Sequence, residues 1–178
     1  MSYCDYCRAL PPDNHHRVYH DFHYGFPLED DDELFGRLVL EINQAGLSWD
    51  LILKKQAAFR LAYSGFSIAA VAAYTETDRQ RLLTNPGIVR NRLKIDAAIY
   101  NAAQIIHLQQ EHGSFKNWIE QLHPQKKEGW VKVFKKMFKF TGGEIVNEFL
   151  MSTGYLPGAH VETCVIYPEH VKQTGLVY

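Results

Sequence analysis

The sequence predicts an all-α fold, a single helical domain over residues 1–178. Three observations carry this. Apolar residues recur at helical spacing along most of the chain. No run alternates apolar and polar residues as a half-buried strand would. Glycines, prolines and capping residues interrupt the periodic stretches at intervals that suit helices.

Taken in order, the first helix is expected from about Asp32 to Ala45. It opens on a cluster of acids, which suits a helix N-terminus, and carries Leu34, Phe35, Leu38, Val39 and Ile42. Gly46 ends it. Ser48 is the expected N-cap of a second helix through Leu51, Ile52, Lys55, Phe59 and Leu61. After Gly65, a short helix starts at Ser67 or Ile68 and reaches Tyr74. Thr77 is read as the cap of another helix, containing Leu82 and Leu83. The breaker Asn85-Pro86-Gly87-Ile88 follows, then a long helix from about Arg90 to Glu111. Ser114 caps the next, with Phe115, Trp118, Ile119 and Leu122 on its apolar side. Beyond Pro124, two more helices are expected near Trp130–Phe140 and Glu144–Ser152. From Tyr155 the chain reads as mostly irregular. The total is about eight or nine helices, with no repeat and no second-domain boundary.

Composition narrows the function classes. The hydrophobic fraction is 46% and the charged fraction 22%, ordinary for a soluble globular protein. No apolar stretch is long enough to span a membrane, and Met1-Ser2-Tyr3-Cys4-Asp5 has no signal-peptide character, so a cytoplasmic, reducing compartment is expected. Three cysteines are too few and odd in number for a disulfide framework, which directs attention to metal binding. The net charge of -1 argues against strong non-specific nucleic-acid binding. It conceals an asymmetry: residues 1–80 hold 7 Lys/Arg against 12 Asp/Glu, and residues 81–178 hold 12 against 8. An anionic partner would meet the second half.

Glu41 is the residue that core patterning does not explain. It lies seven positions after Leu34, so at about 100° per residue it sits only about 20° from Leu34 around the helix. A carboxylate at the edge of an apolar stripe must be paired, hydrogen-bonded or used. Around it, Leu40-Glu41-Ile42-Asn43-Gln44-Ala45-Gly46-Leu47-Ser48-Trp49 gathers a Glu, two amides and a Trp at one corner. An acid beside a flat aromatic surface suits a planar, hydrogen-bonding cation. An ordinary salt-bridged Glu and an ordinary core Trp remain open at this point.

Metal-ligand residues cluster at both ends. Cys4 and His20 stand near the start, and His160-x3-Cys164 near the finish. Two Cys and two His would form a closed tetrahedral site of the structural kind. Spacing alone leaves the set open, since Cys4-x-x-Cys7 is itself a metal-like pair and His15, His16 and His23 are near. Leu82 through Arg90 reads as helix, tight turn, helix. Its Gly87 would allow close backbone approach to a phosphate, and Arg90, Arg92 and Lys94 would supply positive charge. Such an element grips DNA backbone without reading sequence. Lys94 is read as a phosphate contact or a solvated charge.

Together these pieces resemble the DNA-3-methyladenine glycosylase I family, a branch of the helix–hairpin–helix glycosylases. The resemblance is densest in Tyr19-His20-Asp21, Leu40-Glu41, Gln44-Ala45-Gly46-Leu47-Ser48-Trp49, Ile52-Leu53-Lys54-Lys55, Gly87 through Ile95, Gly113-Ser114-Phe115, Phe138-Lys139-Phe140 and His160-x3-Cys164. It implies a helix–hairpin–helix glycosylase fold with one structural zinc held by Cys4, His20, His160 and Cys164, joining the N- and C-terminal segments. It implies a base pocket in which Glu41 recognises the alkylated adenine, lined by Tyr6, Tyr19 and Trp49, with Tyr6 where the family usually has Trp. It implies DNA contacts at Gly87, Arg90, Arg92 and Lys94. The expected activity is monofunctional excision of 3-methyladenine from alkylated double-stranded DNA, releasing the free base, by a monomer. His23-Tyr24-Gly25 in place of the family's Glu-Trp-Gly, Met137 and Gly158-Ala159 depart from the pattern. They leave two alternatives, a non-catalytic zinc-stapled DNA-binding module and a glycosylase for another alkylated base.

Overall fold

A computed structural model describes residues 2–177, and every one of its regular elements is helical. The described residues form eleven α-helices and one 3-10 turn at Ser64–Phe66. They fall into two compact units.

One unit comprises residues 29–146. Its α-helices, with short labels that also count the two helices before them, are α3 (Asp31–Gln44), α4 (Trp49–Ala62), α5 (Ile68–Ala72), α6 (Glu76–Thr84), α7 (Arg92–His112), α8 (Phe115–Leu122), α9 (Lys127–Met137) and the first turn of α10 (Gly143–Ser152). Local chemistry explains these boundaries. Asp30 caps α3 by accepting from the Glu33 N–H at 3.0 Å, and Ser48 caps α4 by accepting from the Leu51 N–H at 3.3 Å. Ser114 caps α8 through the Asn117 N–H at 2.9 Å. Asp31, in the first turn of α3, accepts from the backbone N–H groups of Phe115 and Lys116 at 2.8 and 3.0 Å and from Gln109 at 2.7 Å. One carboxylate thus satisfies the open start of α8 and ties it to α3 and α7. Leu34, Phe35, Leu38 and Ile42 of α3 are buried as the periodicity predicts. An aromatic cluster fills the far side, with Trp118–Phe134 and Phe134–Phe138 ring centroids 5.6 and 5.3 Å apart.

The other unit comprises residues up to 28 and from 147 onward. It contains α1 (Tyr3–Arg8), α2 (His15–Phe22), most of α10 and α11 (Tyr167–Thr174). Gly25, at φ +81°, donates its N–H to the Ser152 carbonyl and accepts from His170 Nδ1, both at 2.8 Å. A Cβ there would stand 2.6 Å from that of Ala159, so no other residue fits without displacement. No helix among the described residues is long and apolar enough to cross a membrane.

Three expectations are corrected. Two helices, α1 and α2, precede the one expected first. The segment after Tyr155 is irregular as far as Ile166 but then forms one unexpected helix, α11, with a proline in its first turn and Gly175 in the left-handed conformation at its end. The residue capping α6 is Thr75, not Thr77: the Asp78 carboxylate accepts from the Thr75 N–H and hydroxyl at 2.9 and 3.1 Å.

Candidate active site and metal cluster

The four expected ligand residues come together inside the unit of residues up to 28 and from 147 onward. Cys4 on α1, His20 on α2, and His160 and Cys164 in the loop before α11 are all buried, and their ligand atoms lie within 4.8 Å of one another. Cys164 Sγ is 3.6 Å from His20 Nε2 and 3.8 Å from His160 Nδ1; Cys4 Sγ is 3.9 Å from His160 Nδ1. A tetrahedral ion with metal–sulfur distances of about 2.3 Å and metal–nitrogen of about 2.0–2.1 Å has S···N edges of about 3.6 Å. The donor set therefore fits a metal.

The surrounding hydrogen bonds orient both imidazoles. His20 Nδ1 lies 2.7 Å from the Asp21 carboxylate, which leaves Nε2 to face the sulfurs. His160 Nε2 donates to the Tyr24 carbonyl at 2.8 Å, which leaves the Nδ1 lone pair facing inward. Carboxylate and carbonyl partners of this kind hold metal-binding imidazoles in one tautomer. Arg17 pairs with Asp21 in turn. Cys7, the competing candidate by spacing, is fully buried elsewhere on α1, its Sγ 3.6 Å from the His16 carbonyl.

Burial holds the His160 imidazole down to about 4, and His170 is lowered for the same reason. Both are neutral in the folded state at pH 7. A histidine whose folded value lies below its unfolded value of about 6.5 binds protons better when unfolded. Stability is then full above about pH 6.5 and falls as pH drops toward 4. Thermal melts between pH 7.5 and 4.5 should show the midpoint declining only in that window; a flat profile would contradict the assignment.

In the unit of residues 29–146, Glu41 stands on α3 and is only 4% exposed, as its place on the apolar stripe predicts. Three residues on, α3 ends at Gln44. Gly46, at φ +79°, turns the chain where a side chain would be strained, and Trp49 opens α4, half-buried. Tyr19 on α2 is buried and lies against Tyr24, ring centroids 5.5 Å apart. Tyr6 on α1 is 43% exposed and stacks on Tyr3.

The expected DNA-contact residues divide. Gly87 sits in the turn between α6 and α7, its N–H donating to Asn85 Oδ1 at 2.8 Å, and Lys55 braces that turn through the Pro86 and Gly87 carbonyls. Arg90 and Arg92 are exposed. Lys94 corrects the expectation. It is 4% exposed, and its Nζ donates to the carbonyls of Asn43 and Ala45 at 2.9 and 2.6 Å. A cation at the C-terminal end of α3 suits the helix dipole and its open carbonyls, and burial lowers the lysine's pKa. Lys94 thus pins the corner between Glu41 and Trp49 and is not available to phosphate. Replacing it with Met should leave both carbonyls short of a donor and lower stability by about 1–3 kcal/mol, measurable by urea denaturation; an unchanged midpoint would show the bonds to be dispensable.

A family model described as methyladenine glycosylase matches residues 9–132. The chain belongs to the methyladenine glycosylase family. The matched span includes Tyr19, His20, Glu41, Trp49 and the turn at Gly87; Cys4, Tyr6, His160 and Cys164 lie outside it. Among its relatives, DNA-3-methyladenine glycosylase 1 of Escherichia coli (strain K12) is 33% identical over 91% of this chain and 96% of its own length. The 3-methyladenine DNA glycosylase I of Staphylococcus aureus superposes with a TM-score of 0.81 at 32% identity, covering 93% of this chain and 97% of that one. A Tyr-to-Phe variant of 3-methyladenine DNA glycosylase I, solved in complex with 3-methyladenine, gives the same TM-score at 31% identity with the same coverage. Within this family fold, reading by residue type missed three features: the neighbours Tyr3 and Tyr24, the inward turn of Lys94, and Asp21 behind His20.

Proposed function

We infer that this protein is a monofunctional DNA glycosylase that releases 3-methyladenine from alkylated double-stranded DNA. The observation that carries the reading is a carboxylate, Glu41, buried on α3 of a methyladenine glycosylase at the corner that presents Trp49. Methylation at N3 makes adenine cationic and therefore a good leaving group. The nucleotide is flipped out of the duplex, and the base is met by Glu41 and the ring of Trp49, with Tyr6 and Tyr19 the further base-binding residues that the family resemblance implies. The bond between the base and the sugar C1′ breaks, and its electron pair stays on the base and cancels the positive charge. Water bonds to C1′ and loses a proton to solvent, leaving an abasic site and free 3-methyladenine. Glu41 orients and discriminates the base; it is not required to act as a strong general base.

The α6–turn–α7 element serves as a helix–hairpin–helix that meets phosphates through Gly87, Arg90 and Arg92. Cys4, His20, His160 and Cys164 hold one structural zinc, in support of which stand their donor types and spacings. With four protein ligands such an ion has no open position, and what it supplies is a crosslink between the two ends of the chain. The whole chain is expected to work as one glycosylase domain, as a monomer in the cytoplasm. Incubation with methylated duplex, followed by measurement of free base, tests the activity; no release by the wild-type chain would overturn it.

A further inference from the structure

We propose that the exposed lysine ridge of α9 is a second contact for the DNA backbone, continuous with the hairpin. Lys132, Lys135 and Lys136 lie within about 100° of arc on α9, and all three are exposed. Lys139 follows just past the end of the helix. Several other cations of this unit are neutralised: Lys54 by Asp50 at 2.7 Å, Arg60 by Glu33 at 2.6 Å, and Lys127, at the start of α9, by Glu144 at 3.2 Å. Arg90 of the hairpin and Lys126, just before α9, are exposed without a carboxylate partner among the described residues and extend the same positive surface. Among the described residues, Lys132, Lys135 and Lys136 have no carboxylate partner. Solvated lysines set along one helix face, none of them ion-paired and with only Glu128, in the first turn, as a carboxylate of α9 on that arc, suit a partner carrying regularly spaced negative charge.

The ridge joins the hairpin through Lys139. Asn101, fully buried on α7, grips the backbone of that residue at both ends: its Nδ2 donates to the Lys139 carbonyl at 3.0 Å and its Oδ1 accepts from the Lys139 N–H at 2.8 Å. The next residue, Phe140, is held at φ +60°, a conformation non-glycine residues rarely adopt. Lys139 Nζ lies 4.2 Å from the centroid of the Tyr100 ring, on the wall of a cleft of about 450 Å³ that Arg79 and Arg92 also line. Arg92 is the first residue of α7, immediately after the turn that holds Gly87. Positive groups therefore run from the hairpin across the cleft to Lys139 and along α9. Glu76 and Asp96 hold the two arginines at 2.9–3.8 Å, so the unneutralised part of the track is the lysine part. Lysines act as point charges without base preference, which fits backbone contact in flanking duplex.

The choice of duplex DNA as partner rests on the glycosylase reading; the track itself does not. The test replaces Lys132, Lys135, Lys136 and Lys139 by Gln together. Binding to a duplex of roughly two helical turns, bearing a stable abasic analogue, is measured between about 50 and 200 mM salt. Each lost phosphate contact should reduce the steepness of log affinity against log salt by about 0.9, so the variant should lose about two to four units of slope and at least about tenfold in affinity at the lowest salt. The melting temperature and binding of free 3-methyladenine should not change. An unaltered slope and affinity would overturn the proposal even if the wild-type chain releases base. A reduced slope in a chain that releases none would uphold the track and sink the glycosylase reading instead.

Discussion

Replacing Glu41 with Gln is expected to reduce release of 3-methyladenine by about 10- to 150-fold, the equivalent of one charge-assisted hydrogen bond worth about 1.5–3 kcal/mol. The carboxylate is buried on α3, where a charge without purpose is costly. Gln keeps the shape and one acceptor but removes the negative charge that complements a cationic base. The variant should fold, because Gln matches Glu in size and keeps a side-chain carbonyl acceptor. Two measurements separate the roles: thermal melting, which should still show a cooperative folded state, and single-turnover release from methylated duplex by the folded variant, which should fall. Wild-type release by a folded Glu41→Gln variant would remove Glu41 from the base site.

Stripping the metal is the second large effect. Chelation, or substitution of Cys164 by Ala, should cost more than about 4 kcal/mol, the range in which loss of a metal site falls. For a chain of this size each kcal/mol moves the melting temperature by about 2–4 °C, so a drop of about 10 °C or more is expected. Metal analysis should find one zinc per wild-type chain and much less in the variant. Full zinc retention by Cys164→Ala, or no zinc in the wild type, would refute the assignment. Cys7→Ala is the control: it should retain the metal, because its sulfur faces the His16 carbonyl.

Much of the fold was legible where local signals and packing agree. The helices α3, α4 and α8 each combine an apolar stripe with a capping side chain, and all three start within a residue or so of expectation. The short helices were harder. α1 has six residues and α2 eight, too few for periodicity to register, although Ser2 with Asp5 and Asn14 before α2 are capping signals that could have marked them. At the site, Glu41 and the Cys/His set were readable because their residue types conflict with their surroundings or match a metal's preferences. Lys94 was not, because it breaks the inside–outside rule. Leu93 is 69% exposed while Lys94 is buried beside Ile95 and one turn before Ala98. Only the carbonyls at the end of α3, distant in sequence, explain why a lysine takes the inward position.

The Cys/His cluster also has a consequence for the order in which the chain can be completed. Cys4 and His160 are 156 residues apart in sequence. Residues 29–146 form a continuous segment with their own core, able to condense as they leave the ribosome. The other unit is discontinuous, and its four ligands exist together only after Cys164 has been synthesised. A chain stopped before His160 holds only Cys4 and His20 of the four. With a metal held by these four residues, only a chain that includes Cys164 could fasten its first helix through it, and a shorter product should be cleaved faster by a protease.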